Sequence, residues 1–332
     1  LLCQRCFRIK YYGDYTHVNK EHKFYDNILL FMIFRKAIIA ICLFGSSICQ
    51  LTAAPNTDGL FEYPTPPDEL VSLQERTTYL VAHFWDKCNL QSAILNREKF
   101  KKAFLDYISF MPYADSLAVH ESITKLISAY KKSPEQLLTL AEMAENAVYN
   151  GEADFTSDEL FLPFAKAVIE NKKISKTKKA RLAHEAKIVE QTQVGKIAPE
   201  LKYTQRDGSK GQLSDTRGAH VLLFINDPEC DECRMARLRL SVDHNINQLI
   251  DDGLLKIVSI YPDEYSEEWA QDVANYNSRW IVCASAQVDE EYDLRLTPTI
   301  YYLNTEGVIL SKSLTVEGLI EAFHVINSKI TR

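Results

Sequence analysis

Cys230 and Cys233 are the residues whose type and spacing most directly imply chemistry. Only Asp231 and Glu232 separate them, and an apolar run at 219–226 (Ala-His-Val-Leu-Leu-Phe-Ile-Asn) ends just before them. A continuous run of that kind fits a strand buried on both faces of a sheet. The pattern at 235–250 is helical, which places the pair at a helix start. There the first backbone N–H groups lack partners and the helix dipole adds partial positive charge, so a thiolate is favoured over a thiol. A two-residue spacer holds both sulfurs within one turn. Cys230 is then the exposed attacker, and Cys233 resolves the mixed disulfide that Cys230 forms.

The surroundings push the other way. Glu229, Asp231 and Glu232 ring the attacking sulfur with negative charge and are expected to raise its pKa, with Arg234 and Arg237 offsetting part of this. A thiol of high pKa is a poor leaving group, so its disulfide resists reduction by other thiols. The expected direction is therefore electron donation, by a reductase or isomerase, and not strong oxidation.

The elements that must position this pair belong to a chain of 332 residues, long enough for two globular units. Hydrophobic residues make up 46% and charged residues 25%, which excludes both a disordered chain and a multispan membrane protein. Lys and Arg number 38 against 45 Asp and Glu, a net charge of −7, so no basic footprint for nucleic acid exists. Eight cysteines are too few for a disulfide scaffold, and spacing must carry the argument.

Residues 1–54 read as an upstream extension and a signal peptide. After Met32 come Arg35-Lys36, an apolar stretch at 37–43 extending weakly to Cys49, and the small residues Thr52, Ala53 and Ala54 before Pro55. Translation is expected to begin at Met32, and the product to be exported to the periplasm or cell envelope. Left uncleaved, the same segment, helped by 28–34, would tether the chain to a membrane. Losing residues 1–54 removes seven basic and three acidic residues, leaving 31 against 42, or −11, and four cysteines: Cys88, Cys230, Cys233 and Cys283. Outside the cytosol, disulfides form and persist.

Residues 55–67 are a Pro-rich linker, and 68–192 are expected to form an all-α domain of about six helices. Leu70, Leu73, Thr77, Leu80, Phe84 and Cys88 make one apolar stripe, and Phe100, Phe104, Tyr107 and Met111 a second, stopped by Pro112. His120, Ile123, Ile127 and Tyr130 lie on a third. Ser133 before Pro134, and Ser157, read as N-caps, and 172–189 gives the last helix. His83, His120 and His184 lack carboxylates at ligand spacing, Cys88 reads as a core thiol, and the basic run from Lys172 to Arg181 reads as a solvated face.

From 193 to 332 the pattern changes to alternation of strand and helix. Strands are expected at 200–206, 219–226, 254–261, 280–284, 299–303 and 308–311, and helices at 235–250, 267–276 and 316–326. Thr305-Glu306-Gly307 fits a hairpin turn. This β-α-β-α-β then β-β-α order implies an α/β domain with a mixed sheet and helices on both faces.

Three features of this region are similar to a known family: Gly195-Lys196-Ile197-Ala198-Pro199 at its start, Cys-x-x-Cys at a helix start after a strand, and Leu296-Thr297-Pro298-Thr299 before a strand. About 140 residues resemble the thioredoxin-fold, exported thiol–disulfide oxidoreductases of the TlpA/ResA kind. The resemblance implies that Pro298 is cis and lies against the redox pair, and that Thr297 offers backbone hydrogen bonds to substrate. It implies protein disulfides as substrates, an unidentified electron donor, and neither metal nor organic cofactor. The helical part resembles an uncharacterised module that precedes such domains in exported bacterial proteins, which implies no mechanism.

Departures from the family pattern are specific. Glu229 replaces the usual aromatic residue before the first cysteine, and the strand stretch 222–225 lacks the usual buried acid, leaving Asn226 and Asp227 as the nearest polar groups. A peroxidase would need a hydroxyl where Asp227 stands, and a zinc site two further ligands. Cys283 is expected to be a core thiol, with a Cys88–Cys283 disulfide as the alternative. The rival function is a non-catalytic adaptor with a static Cys230–Cys233 disulfide.

Overall fold

The structure, a computed structural model, describes residues 59–330 apart from residues 152 and 313. The expected signal peptide, its Met32 and the first residues of the linker lie outside the described residues. The chain forms two compact units. One holds the described residues up to Leu201 together with Ala286–Thr297; the other holds Lys202–Ser285 and the described residues from Pro298 on.

The first unit is helical: α1 (Leu73–His83), α2 (Leu90–Ala93), α3 (Arg97–Phe110), α4 (Ser116–Tyr130), α5 (Pro134–Val148), α6 (Asp158–Glu170) and α7 (Lys176–Gln191). Local chemistry sets their starts. Ser72 and Glu75 form a reciprocal capping box on α1, with hydrogen bonds of 3.1 and 3.0 Å satisfying two otherwise orphaned donors. Ser157 caps α6 through Leu160 N–H. The Ser133 hydroxyl makes no cap bond, and α5 starts on Pro134 instead, whose fixed φ suits a first helical position and which has no N–H to satisfy. The last helix starts later than the periodicity suggests, at Lys176, because Ser175 caps it. The basic run is the solvated face expected, with Lys172, Lys173, Lys176, Lys178 and Arg181 exposed; half-buried Lys179 donates from Nζ to the Ile169 carbonyl (2.6 Å) at the end of α6, and Arg181 pairs with Glu145 and Glu185.

The expected stripes are the core. Phe84, Phe100, Phe104, Tyr107, Tyr130, Phe161 and Phe164 are fully buried. A buried chain of hydrogen bonds runs from the Tyr107 hydroxyl to Ser122 Oγ (2.7 Å) and on to the Val81 carbonyl (2.7 Å). His120 is exposed beside a cleft of about 530 Å³ lined also by Met111, Ile123, Phe155 and Glu159.

The second unit is a mixed seven-stranded sheet of β1 (Lys202–Gln205), β2 (Lys210–Gln212), β3 (His220–Ile225), β4 (Leu255–Tyr261), β5 (Ile281–Ala284), β6 (Thr299–Leu303) and β7 (Ile309–Lys312), in the order β2-β1-β5-β4-β3-β6-β7. β3, β4 and β5 are parallel, while β1, β2, β6 and β7 pair antiparallel. β2 was not expected; three residues after the Asp207-Gly208 turn are too short to show a period.

The expected helix at 235–250 is two helices, α8 (Asp231–Val242) and α9 (His244–Asp251). Asp243 between them is extended (φ −68°, ψ 122°), and its carboxylate accepts the Ile246 N–H at 3.0 Å. A cap-forming side chain competes with helix continuation, and here the cap wins. With α10 (Glu267–Asp272) and α12 (Val316–Ile330), these helices bury Leu222, Phe224, Ile257, Val282, Ile300 and Tyr302, all on one face of the sheet. The opposite face is buried as well, through Val221, Leu223, Val258, Ile260, Tyr301 and Leu303. The steps β3 to β4 to β5 run the same way across the sheet, so right-handed crossovers put their helices on one side. The opposite step, β5 to β6, is made by residues 286–297, whose short helix α11 (Val288–Glu291) groups with the helical unit.

Candidate active site

Every residue of β3 is buried, and the chain leaves it through a built turn. Asn226 is buried and donates to the Phe224 carbonyl (3.0 Å) and to Ser259 Oγ (2.9 Å), which ties the end of β3 to β4. Asp227 Oδ1 accepts the Glu229 N–H at 2.8 Å, and its carbonyl accepts the Cys230 N–H at 3.3 Å. This Asx turn reverses the chain and delivers Cys230 to the N-cap of α8.

At that cap, Cys230 is extended (φ −78°, ψ 121°) and its Sγ accepts the Cys233 N–H at 3.1 Å, a sulfur taking the place of the usual capping oxygen. The two thiols differ in environment. Cys230 is half-buried, Cys233 is fully enclosed, and no disulfide joins them. Burial pushes the Cys233 thiol well above its ordinary value, its hydrogen bond to Cys230 adds to the rise, and a backbone hydrogen bond from Asp227 opposes it. A thiolate is thus disfavoured at the inner sulfur.

Glu229, Asp231 and Glu232 stand exposed around the turn. Asp231 pairs with Arg234 at 2.7 Å. Arg237 does not reach toward these acids; its guanidinium lies 3.9 Å from the centre of the Tyr276 ring, with one Nη buried and lacking a hydrogen-bond partner. Thr299, the first residue of β6, pairs with Ile225, the last of β3, so the register brings Pro298 to the sheet end from which Cys230 departs. Thr297 is exposed and ends the segment that groups with the helices.

The remaining cysteines are thiols in apolar settings. Cys283 is buried on β5, its Sγ 3.8 Å from the Ser259 carbonyl, and burial raises its pKa. Burial pushes the Cys88 thiol up to about 11 where it packs on the helical core. Among the described residues no group of three or more His, Cys, Asp and Glu side chains is placed to hold a metal ion, and no helix is long and apolar enough to cross a membrane. Sequence reasoning missed the structural part played by Asp227, although Asp227-Pro228 is a turn signal. The Arg237–Tyr276 contact carries no local signal, since only the fold brings α8 to that ring.

Comparison with known proteins gives the class. Residues 45–192 match the family described as Domain of unknown function (DUF5106). The chain is similar to a thioredoxin-like protein from Bacteroides caccae ATCC 43185, at 26% identity and a TM-score of 0.69, covering 80% of this chain and 98% of that one. It is also similar to the C-terminal domain of an uncharacterized protein from Bacteroides fragilis NCTC 9343 (30% identity, 40% of this chain and 99% of that one, TM-score 0.38). A third similar structure is the thioredoxin domain of a thiol-disulfide oxidoreductase from Bacteroides vulgatus (21%, 40% and 97%, TM-score 0.35). Among curated proteins, none matches. The likeness to the Bacteroides caccae protein gives the chain a thioredoxin-like fold.

Proposed function

We propose that this protein is an exported thiol–disulfide oxidoreductase that reduces or isomerises protein disulfides. One observation carries the reading: a half-exposed Cys230 caps a helix, while Cys233, three residues further on, is enclosed and held as a thiol. In the first step the Cys230 thiolate attacks a substrate disulfide. The Cys230–substrate bond forms, the substrate S–S bond breaks, and one substrate sulfur leaves as a thiolate that takes up a proton. In the second step Cys233 loses its proton and attacks Cys230 Sγ, releasing the other substrate sulfur. Two electrons pass to the substrate, and the Cys230–Cys233 disulfide left behind is reduced again by an external dithiol donor. Pro298, with Thr297, shapes the surface on which substrate docks, and Glu229, Asp231 and Glu232 tune Cys230.

Cys233→Ser tests the reading, because it blocks the second step. Incubated with insulin, the variant should accumulate mixed disulfides at Cys230, seen by non-reducing electrophoresis and mass spectrometry. Absence of adducts would favour the adaptor with a static disulfide.

A further inference from the structure

The segment 286–297 is short, and its four-residue helix α11 could not persist alone in water. Side chains and carbonyls within the helical unit hold it. Gln191 Nε2 donates to the Glu291 carbonyl and carboxylate (2.9 Å each), Lys187 Nζ to the Glu290 carbonyl (3.1 Å), and the buried Tyr292 through its hydroxyl to the Pro199 carbonyl (2.6 Å). The densest contacts belong to Arg295. Its Nε donates to both Asp293 oxygens (2.8 and 2.7 Å), Nη2 closes on Asp293 and reaches Asp158 (3.2 Å), and Nη1 reaches the Tyr149 carbonyl (2.6 Å). The guanidinium also stacks 3.6 Å from the centre of the Tyr149 ring. Arg295, Asp293 and Asp158 side chains are only 15%, 12% and 16% exposed. On the other side, a Cβ added to Gly151 would come within 2.7 Å of the Arg295 carbonyl, so the backbone of 295 is seated as well as its side chain.

We infer that Arg295 is a positioning residue, a latch through which the helical unit fixes the conformation of the segment that presents Thr297 for substrate docking. The inference rests on the docking role proposed above for Thr297 and Pro298. Its physical basis is reach. Two residues span at most about 7 Å, so anchoring both the side chain and carbonyl of residue 295 leaves Thr297 little freedom. The planar fork of arginine meets a carboxylate bidentately and lies flat on a ring at once, which lysine cannot do.

The test uses the full chain and three variants, Arg295→Gln, Arg295→Lys and Gly151→Ala. Amide hydrogen exchange reads the latch directly: residues 286–297 should exchange at least tenfold faster in Arg295→Gln, with smaller increases in the other two. Reduction of insulin, with dithiothreitol as electron donor, should show a raised KM and a kcat/KM at least tenfold lower. Alkylation of Cys230 by iodoacetamide, which needs no docking surface, should stay within twofold of the unmodified chain. Unchanged exchange, an unchanged KM despite faster exchange, or alkylation falling in parallel with reduction would each overturn the inference. Should Arg295→Gln fail to fold, Gly151→Ala carries the same comparison with the charge network intact. An unmodified chain inert toward insulin would instead sink the redox reading and the docking role with it, while exchange would still report whether the segment is latched.

Discussion

Charge is used in opposite ways in the two units. Around Cys230 in the sheet unit, Glu229, Asp231 and Glu232 stand in solvent, and the ion pair of Asp231 with Arg234 is exposed on both sides. In the helical unit Arg295, Asp293 and Asp158 are almost enclosed and consume one another's hydrogen-bonding capacity. Exposed charges contribute little to stability and act over a few ångströms of screened distance. Enclosed charges, once one partner is removed, leave an uncompensated ion behind. The contrast teaches that the surroundings of the sulfur can be altered almost without consequence for the fold, whereas the latch cannot.

Four variants break or sharpen that contrast. Cys230→Ser should bring insulin reduction down to the uncatalysed background. Its urea midpoint should hardly move, because serine caps a helix at least as well as the cysteine does. A folded variant that still turns over would remove Cys230 from the chemistry. Arg295→Met is the reverse case, a stability effect. It strands Asp293 and Asp158 and should lower the unfolding free energy of the helical unit by about 3 kcal/mol, measured by urea denaturation followed by circular dichroism. A loss below about 1 kcal/mol, the range of exposed pairs, would place this network with the surface charges.

Glu185 gives a milder effect that depends on pH. It is half-buried, one carboxylate oxygen has no hydrogen-bond partner, and burial raises its pKa despite the opposing charge of Arg181. The folded state holds this proton more tightly than the unfolded state, so the contribution is favourable at low pH. It is lost as pH rises from the ordinary value of 4.5 through the raised folded value. Glu185→Gln should remove that decline, and the difference in Tm between the variant and the unmodified chain should grow with pH across this window. A constant difference would mean that Glu185 titrates normally. The smallest effect is expected for Glu229→Gln, Asp231→Asn and Glu232→Gln combined. Iodoacetamide should alkylate Cys230 about threefold faster at low ionic strength, the gain should fade with added salt, and the urea midpoint should be unchanged. No acceleration would show that these acids do not tune the sulfur.

Much of the site was legible because its parts are local. Cys230 and Cys233 lie one helical turn apart, the strand before them announces itself by a continuous apolar run, and Thr305-Glu306-Gly307 turns the chain, with Gly307 at φ 84°. Short or interrupted elements were not legible. Asp243 scores as an ordinary polar position in a helical pattern and yet splits α8 from α9, and β2 is three residues long. Arg237 was expected among the acids, but a ring contributed from beyond β4 draws it away. Residues 286–297 read as part of the α/β domain by position in the chain, whereas their contacts are with helices.

The sequence by itself determined a thiol pair at the mouth of a helix, an acidic shell around it, and the alternation that builds a thioredoxin-like sheet, because each depends on neighbours within a few residues. Only the tertiary structure decided that Cys233 is enclosed completely, that Arg237 lies on the Tyr276 ring, and that Arg295 clasps Asp158 and Tyr149. Those outcomes depend on groups distant in the chain, and no local pattern encodes which distant partners will exclude water from a side chain.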